Sequence, residues 1–111
     1  MGVNYPVIHK AYAFVVWYLK KIEKLPKNHR YTLGEKIQIS ALELILLLTE
    51  TVYAKNKKEY LYKINKELEK LRILTRISGE LALLSEENTR YIFEQINDIG
   101  KQAGGWLKNV Q

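Results

Sequence analysis

The sequence contains no cysteine, only two prolines and only two histidines. Without cysteine the chain forms neither disulfides nor thiolate metal sites, which fits a reducing cytoplasm. His9 and His29 fall in different segments, and no acid-x-x-His or His-x-x-x-His pair is present, so we expect no metal site and no cofactor. No glycine-rich phosphate loop follows a strand, and no serine has an evident base. These absences argue against an enzyme, and we predict no catalytic residue.

Long apolar runs are also missing. The run from Ala11 to Leu19 is much shorter than the roughly 20 residues that span a bilayer. It also lacks the basic lead-in and the small-residue cleavage site of a secretion signal. We therefore expect a cytoplasmic protein that does not partner a membrane.

Four stretches of the chain have the apolar spacing of amphipathic helices. They are predicted to cover about Tyr5–Lys24, Thr32–Ala54 and Lys57–Leu81, and a fourth stretch that Ser85 caps and that continues towards the C-terminus. No segment alternates apolar and polar residues, so no sheet is predicted. Four helices joined by short connections predict an all-α protein, an antiparallel up-down-up-down four-helix bundle that forms one domain over residues 1–111.

The second helix carries more apolar surface than one face. Thr32 and Glu35 have the spacing of a capping box at its start. It carries two apolar stripes: Ile37, Ala41, Leu44, Leu48 and Val52, and Ile39, Leu42, Leu46, Thr49 and Tyr53. Its polar side is a thin line of Lys36, Glu43 and Glu50, flanked by the predicted packing residues Ile39, Leu46 and Leu47. A surface helix needs one apolar arc of about 100°. Either its own chain wraps this helix on most sides, or another subunit covers it.

The fourth helix combines a regular apolar seam with an unusual number of glycines. The seam recurs in steps of four and three along Ile92, Ile96, Ile99, Ala103, Trp106 and Val110. Gly100, Gly104 and Gly105 lie among these residues, although glycine is unfavourable within a helix. We predict that another helix approaches this backbone closely and that Trp106 fills the space beside it. A frayed helix end is the alternative.

Positive charge is concentrated in the first two-thirds of the chain. Residues 1–76 hold 15 Lys and Arg against 7 Asp and Glu, a balance of +8, whereas residues 77–111 hold 3 against 5, a balance of −2. Such asymmetry favours a polyanionic partner, nucleic acid or less often an anionic membrane, and its alternative is a solubilising surface. The candidate phosphate-binding residues are Lys27, Arg30, Lys55, Lys57, Lys58, Lys63, Lys66, Lys70, Arg72 and Arg76. No base-reading motif is visible, so we expect sequence-tolerant binding of RNA or DNA.

Two tyrosines lie among these lysines. Tyr60 and Tyr62 have rings that can stack on unpaired bases. Packing across the bundle surface is the more common use of tyrosine in such positions, and it is the interpretation that we favour.

Two motifs carry a resemblance to a known family. The run LPKNHRYTLGEKI (Leu25–Ile37) and the run IGKQAGGWLK (Ile99–Lys108) resemble the four-helix-bundle family of the accessory variability determinant proteins of diversity-generating retroelements. The same family includes bundle proteins encoded in intervening sequences of bacterial large-subunit rRNA genes. The similarity covers nearly the whole chain.

The resemblance implies a non-catalytic accessory protein. Its retroelement members form barrel-shaped homopentamers with a basic surface, bind nucleic acid and associate with the reverse transcriptase during mutagenic copying of a template RNA. Carried onto this chain, it adds Lys36 to the basic set, and it makes Gly104, Gly105 and Trp106 structural. The alternative is the intervening-sequence branch, a structural or interaction bundle without a defined role on nucleic acid.

Overall fold

The structure is a computed structural model, and it describes residues 5–108. It contains five α-helices, which are α1 (Pro6–Ile22), α2 (Lys27–Arg30), α3 (Leu33–Thr51), α4 (Lys57–Glu80) and α5 (Glu86–Lys108). No strand is present among those residues. The all-α prediction is confirmed, and the four predicted helices correspond to α1, α3, α4 and α5. The single-turn helix α2 was not predicted from the sequence.

The four long helices surround one apolar interior. Helix α1 packs against α3 and α5, helix α4 packs against the same two helices, and α2 lies against α3. The described residues fill a shape of 44 × 23 × 23 Å. Each long helix contributes large side chains that are completely or almost completely buried, including Phe14, Tyr18, Ile22, Ile37, Leu44, Leu48, Ile64, Leu71, Ile92, Ile96, Ile99 and Leu107. The chain thus forms a helical bundle.

One pair of buried hydroxyls joins two helices inside the bundle. The Tyr18 and Thr75 hydroxyls lie 2.8 Å apart and join α1 to α4. Burial raises the pKa of Tyr18 to about 12, although the hydrogen bond to Thr75 acts in the opposite direction. A buried hydroxyl without a partner costs roughly 1–3 kcal/mol, so this pair fixes the register between the two helices.

The start of α5 is capped as predicted, but the start of α3 is not. The Asn88 N–H donates to Ser85 Oγ at 3.0 Å, the geometry of a helix N-cap. The predicted capping box is wrong, because the Thr32 side chain accepts no bond from the first turn of α3. The Thr32 hydroxyl instead donates to the carbonyls of Asn28 and His29. These carbonyls belong to the short helix α2, which ends at Arg30, two residues before Thr32.

The turn between α3 and α4 is built from side chains rather than from glycine or proline. The Glu59 N–H donates to Asn56 Oδ1 at 3.2 Å, which caps α4. The Lys57 ammonium donates to the carbonyls of Thr51 and Ala54, each at 2.9 Å, and so satisfies the end of α3. A cation there also interacts favourably with the helix dipole.

Candidate nucleic-acid interface

A surface groove of about 840 Å³ lies between α3 and α4. Three of the predicted phosphate-binding residues line it: Lys36 from α3, and Lys66 and Lys70 from α4. Its apolar wall includes Ile39 and Ile73, which are both exposed. The structure therefore brings cations together from two consecutive helices.

The floor of this groove holds a nearly buried carboxylate. Glu67 Oε1 accepts a hydrogen bond from the Ser40 hydroxyl at 2.8 Å, and Glu67 Oε2 lies 3.2 Å from the Lys70 ammonium. A carboxylate removed from water needs such partners. Much of the positive charge of Lys70 is therefore compensated within the chain. The Lys66 ammonium instead lies 5.5 Å from the centre of the Tyr62 ring.

Two further predicted cations of α4 have acidic neighbours. Lys63 lies 3.6 Å from Glu59. Arg72 lies 2.6 Å from Glu69 and also donates to Asn97 Oδ1 on α5 at 2.9 Å. Exposed pairs of this kind contribute at most about 1 kcal/mol, so a phosphate can compete for these cations. Their resting charge is nevertheless partly neutralised.

The predicted cations of the two connections differ in how far the fold uses them. Arg30 is half-buried in α2 and donates to the Leu25 carbonyl at 3.1 Å, where it supports the corner between α1 and α3. Lys57 caps α3, as described above. Lys27 and Lys55 are exposed, with no ion pair among residues 5–108. They remain available to a ligand.

Sequence reasoning missed two cations, which lie on α5. Lys101 and Lys108 line a depression of about 640 Å³ between α4 and α5, together with the predicted Lys58. These residues belong to the part of the chain whose net charge is negative, so the charge count concealed them. Their spacing of seven residues, which places them on one helical face, is the signal that could have found them.

The glycines of α5 behave differently from one another. A Cβ on Gly100 would lie 3.5 Å from a Leu68 methyl group, which is ordinary contact with α4. A Cβ on Gly104 or Gly105 would meet no heavy atom within 4 Å. The predicted close approach at these two glycines is therefore not supplied within residues 5–108.

The end of the predicted α5 seam also differs from the expectation. Trp106 is half-buried and packs on Tyr5, with ring centroids 5.4 Å apart, while Leu107 occupies the buried position. Trp106 therefore closes one end of the α1–α5 contact and does not lie beside the glycines of the depression. Val110, the last predicted seam residue, lies outside the described residues.

The outer face of α3 is apolar and uncovered. Ile39, Leu42 and Leu46 are 58%, 45% and 53% exposed. Leu47, which was predicted with Ile39 and Leu46, is instead buried in the interior of the bundle. The described residues therefore wrap α3 only in part, so the first of the two interpretations of this helix is not met in full. Coverage by another subunit stays a prediction.

One electrostatic contact links α1 to α5. Lys10 donates to Asp98 Oδ2 at 2.8 Å, and this hydrogen bond holds the pKa of that carboxyl below its usual range. Among residues 5–108 no cluster of three or more His, Asp or Glu side chains is arranged to hold a metal ion. In the same part of the chain, no helix is both long enough and apolar enough to cross a membrane.

Comparison with known proteins places the chain in a family. No curated protein matches it. A family model described as bAvd-like matches residues 7–110, a stretch that includes all but the first residue of α1 and the whole of α2 to α5. The match covers both sequence motifs, and the resemblance seen in the sequence is confirmed. This chain therefore belongs to the bAvd-like family, the bacterial accessory variability determinant family of accessory proteins.

Proposed function

We propose that this chain is the nucleic-acid-binding accessory subunit of a diversity-generating retroelement and acts in the cytoplasm. It partners the reverse transcriptase during mutagenic retrohoming and has no catalytic residue or cofactor of its own. The observation that carries the proposal is the bAvd-like match over residues 7–110. The exposed cations supply the positive charge with which the chain binds phosphates.

Binding in this proposal is driven by phosphate contacts. Eight of the eleven predicted cations have no carboxylate partner among the described residues. Main-chain carbonyls bind two of the eight, Arg30 and Lys57. The other six are Lys27, Lys36, Lys55, Lys58, Lys66 and Arg76. Lysine meets phosphate as a point charge, without the geometry that reads a base. Each neutralised phosphate of a single strand releases counterions and adds about −0.7 to the slope of log K against log salt. Binding is therefore sequence-tolerant and falls steeply as salt rises.

Assembly completes the proposed role. In this proposal the long helices run up-down-up-down as one domain, and copies join through the outer face of α3 into a ring, a homopentamer. Burying this face removes Ile39, Leu42 and Leu46 from water, which is favourable by about 25 cal/mol for each Å² of apolar surface. A closed ring then repeats the exposed cations of every copy around one continuous positive field.

Light scattering and RNA binding test the proposal together. We expect the protein alone to scatter as several copies of its 13.0 kDa chain. A fluorescently labelled structured RNA should bind at 50 mM salt, with an affinity that drops by orders of magnitude at 500 mM. The reverse transcriptase of the same retroelement should co-purify with it. A single-chain mass together with no RNA binding at low salt would overturn the proposal.

The alternative function is that of the intervening-sequence branch, a structural or interaction bundle without a nucleic-acid role. The observation in its favour is that the fold itself uses several predicted cations, since Arg30 and Lys57 bind main-chain carbonyls and Lys70 pairs with Glu67. An oligomer that ignores RNA at every salt concentration would support this alternative.

A further inference from the structure

The depression between α4 and α5 differs from the other grooves of the surface in its charge. Lys58, Lys101 and Lys108 line it, and its remaining lining is apolar side chains and glycine. No aspartate or glutamate lines it. By contrast, the α3–α4 groove has Glu43, Glu67 and Glu69 beside its three lysines. We call the first depression the lysine–glycine groove.

The glycines of this groove expose the backbone of α5. Side chains at positions 104 and 105 would find open space, so the packing of this chain does not require glycine at either position. Glycine is also less favourable than alanine within a helix. Two such glycines beside lysines leave room for an external ligand to lie close to the backbone of α5.

The charges at this end of the bundle favour an anion. The three lysines have no ion-pair partner among residues 5–108. The partial negative charge at the end of α5 is opposed by the partial positive charge at the start of α4, because Lys58 and Lys108 line the same depression. The three ammonium groups therefore set the sign of the local field.

The lysine–glycine groove adjoins a second depression between α4 and α5. Gly100 and Lys101 also line the next depression along the α4–α5 seam, which contains Arg72 and Asn97. Arg72 donates to Asn97 there and pairs with Glu69, which also lines that depression, so its guanidinium is held in place at the seam and is partly neutralised. Cations thus follow the seam from Lys108 through Lys101 to Arg72.

We propose that the lysine–glycine groove seats the phosphate backbone of one nucleic-acid strand, which then follows the α4–α5 seam towards Arg72. This inference rests on the proposed function and assigns the strand to a particular surface. The glycines let the sugar–phosphate chain approach α5 closely, and the lysines compensate its charge. The α3–α4 groove, where carboxylates equal lysines in number, is the weaker site for a strand.

A pair of double variants with equal net charge tests the proposal. The groove variant is Lys101→Glu with Lys108→Glu, and the matched control is Lys20→Glu with Lys24→Glu, one exposed lysine in the last turn of α1 and one just after it. The probe is a fluorescently labelled 20-nucleotide single-stranded RNA, followed by anisotropy at several salt concentrations. We expect the groove variant to lose affinity by about tenfold or more at low salt, and its salt slope to shrink by roughly 1.4, two phosphates' worth. The control should lose less than about threefold.

A substitution that leaves the net charge unchanged tests the shape of the groove separately from its charge. Gly104→Leu fills the groove without changing net charge and meets no atom of the chain at its Cβ. We expect it to melt at a higher temperature than the wild type and yet to bind the same RNA several-fold more weakly. Gly104→Ala, which adds only a methyl group, serves as its control.

The possible results distinguish the groove proposal from the proposed function on which it rests. Wild-type binding with equal losses in both charge variants, or full affinity in Gly104→Leu, would overturn the groove and leave the proposed function standing. A smaller assembly in Gly104→Leu would identify the groove as a contact between copies and also overturn it. No binding by the wild type at low salt would end both proposals.

Discussion

The two faces of α3 carry the same kinds of residue in opposite environments. On the inner face Ile37, Leu44 and Leu48 are completely buried. On the outer face Ile39, Leu42 and Leu46 remain about half exposed. Hydropathy alone does not distinguish these two sets, because both consist of isoleucine and leucine. The difference teaches that this chain completes its own interior and still has apolar surface to offer to a partner.

Polar groups of the interior also find partners within the chain. Tyr18 pairs with Thr75, and Ser40 pairs with the Glu67 carboxylate. Both pairs form within a single chain and need no residue of a second subunit. The outer face of α3 is therefore not an unfinished core, and changes there should affect assembly without unfolding the chain.

The largest expected effect comes from a charge on the outer face. Leu46→Glu should reduce the scattering mass to that of one chain, because a carboxylate buried between copies has no partner. Leu81→Glu is the matched control, since Leu81 is equally exposed, at 53%, but lies at the end of α4. Circular dichroism should report the same helix content for both variants. An unchanged mass for Leu46→Glu would show that the outer face of α3 does not join copies.

The next effect compares the two faces by the same truncation. Leu44→Ala should lower the free energy of unfolding by about 2–5 kcal/mol, as expected for a cavity in a packed core. Leu42→Ala should cost less than about 1 kcal/mol when measured on a dissociated background such as Leu46→Glu. Urea denaturation followed by circular dichroism measures both values. Equal costs would mean that the outer face is covered within a single chain.

A smaller effect follows from the raised pKa of Tyr18. Its pKa is 10.0 in the unfolded chain and about 12 in the folded one, so the folded state favours the protonated phenol. The associated stability is fully present below pH 10 and is lost as the pH rises from 10 to 12, by roughly 2–3 kcal/mol. Tyr18→Phe should therefore be less stable than the wild type at pH 8, because Thr75 loses its partner, but should lose less stability towards pH 12. Denaturation curves of both proteins at pH 8, 10 and 11.5 test this, and parallel losses would contradict it.

Periodicity predicted the long helices because each has an apolar face that must be buried. The start of α5 followed from a local signal, the N-cap residue Ser85, whereas no glycine or proline marks the boundary near Lys57. The start of α3 did not, because α2 offers Thr32 a different set of partners, and one helical turn leaves no periodic pattern to read. The N-cap rule therefore held at Ser85 and failed at Thr32, where the carbonyls of a neighbouring helical turn competed for the same hydroxyl.

The candidate site was harder to predict, because a count of charges along the sequence does not show which charged residues lie close together in the fold. The sequence listed Lys57 and Arg30 as phosphate ligands, but main-chain carbonyls at helix ends bind them. It passed over Lys101 and Lys108, because acidic residues share their part of the chain. Only the packing of α5 on α4 brings these two residues beside Lys58. A surface site on a bundle depends on which exposed residues of neighbouring helices meet, and periodicity does not contain that information.

The smallest expected effect extends the comparison of inner and outer positions to glycine. A Cβ on the buried Gly34 would lie 3.0 Å from a methyl group of Ile22, which is itself completely buried and has little room to move. Gly34→Ala should therefore lower the free energy of unfolding by about 1 kcal/mol, since overpacking outweighs the gain in helix propensity. Gly104→Ala meets no such contact, and it should raise that free energy by about 0.5–1 kcal/mol. Opposite shifts in melting temperature would show that Gly34 serves the fold and Gly104 does not, whereas a loss of stability in both would place a hidden packing role at Gly104.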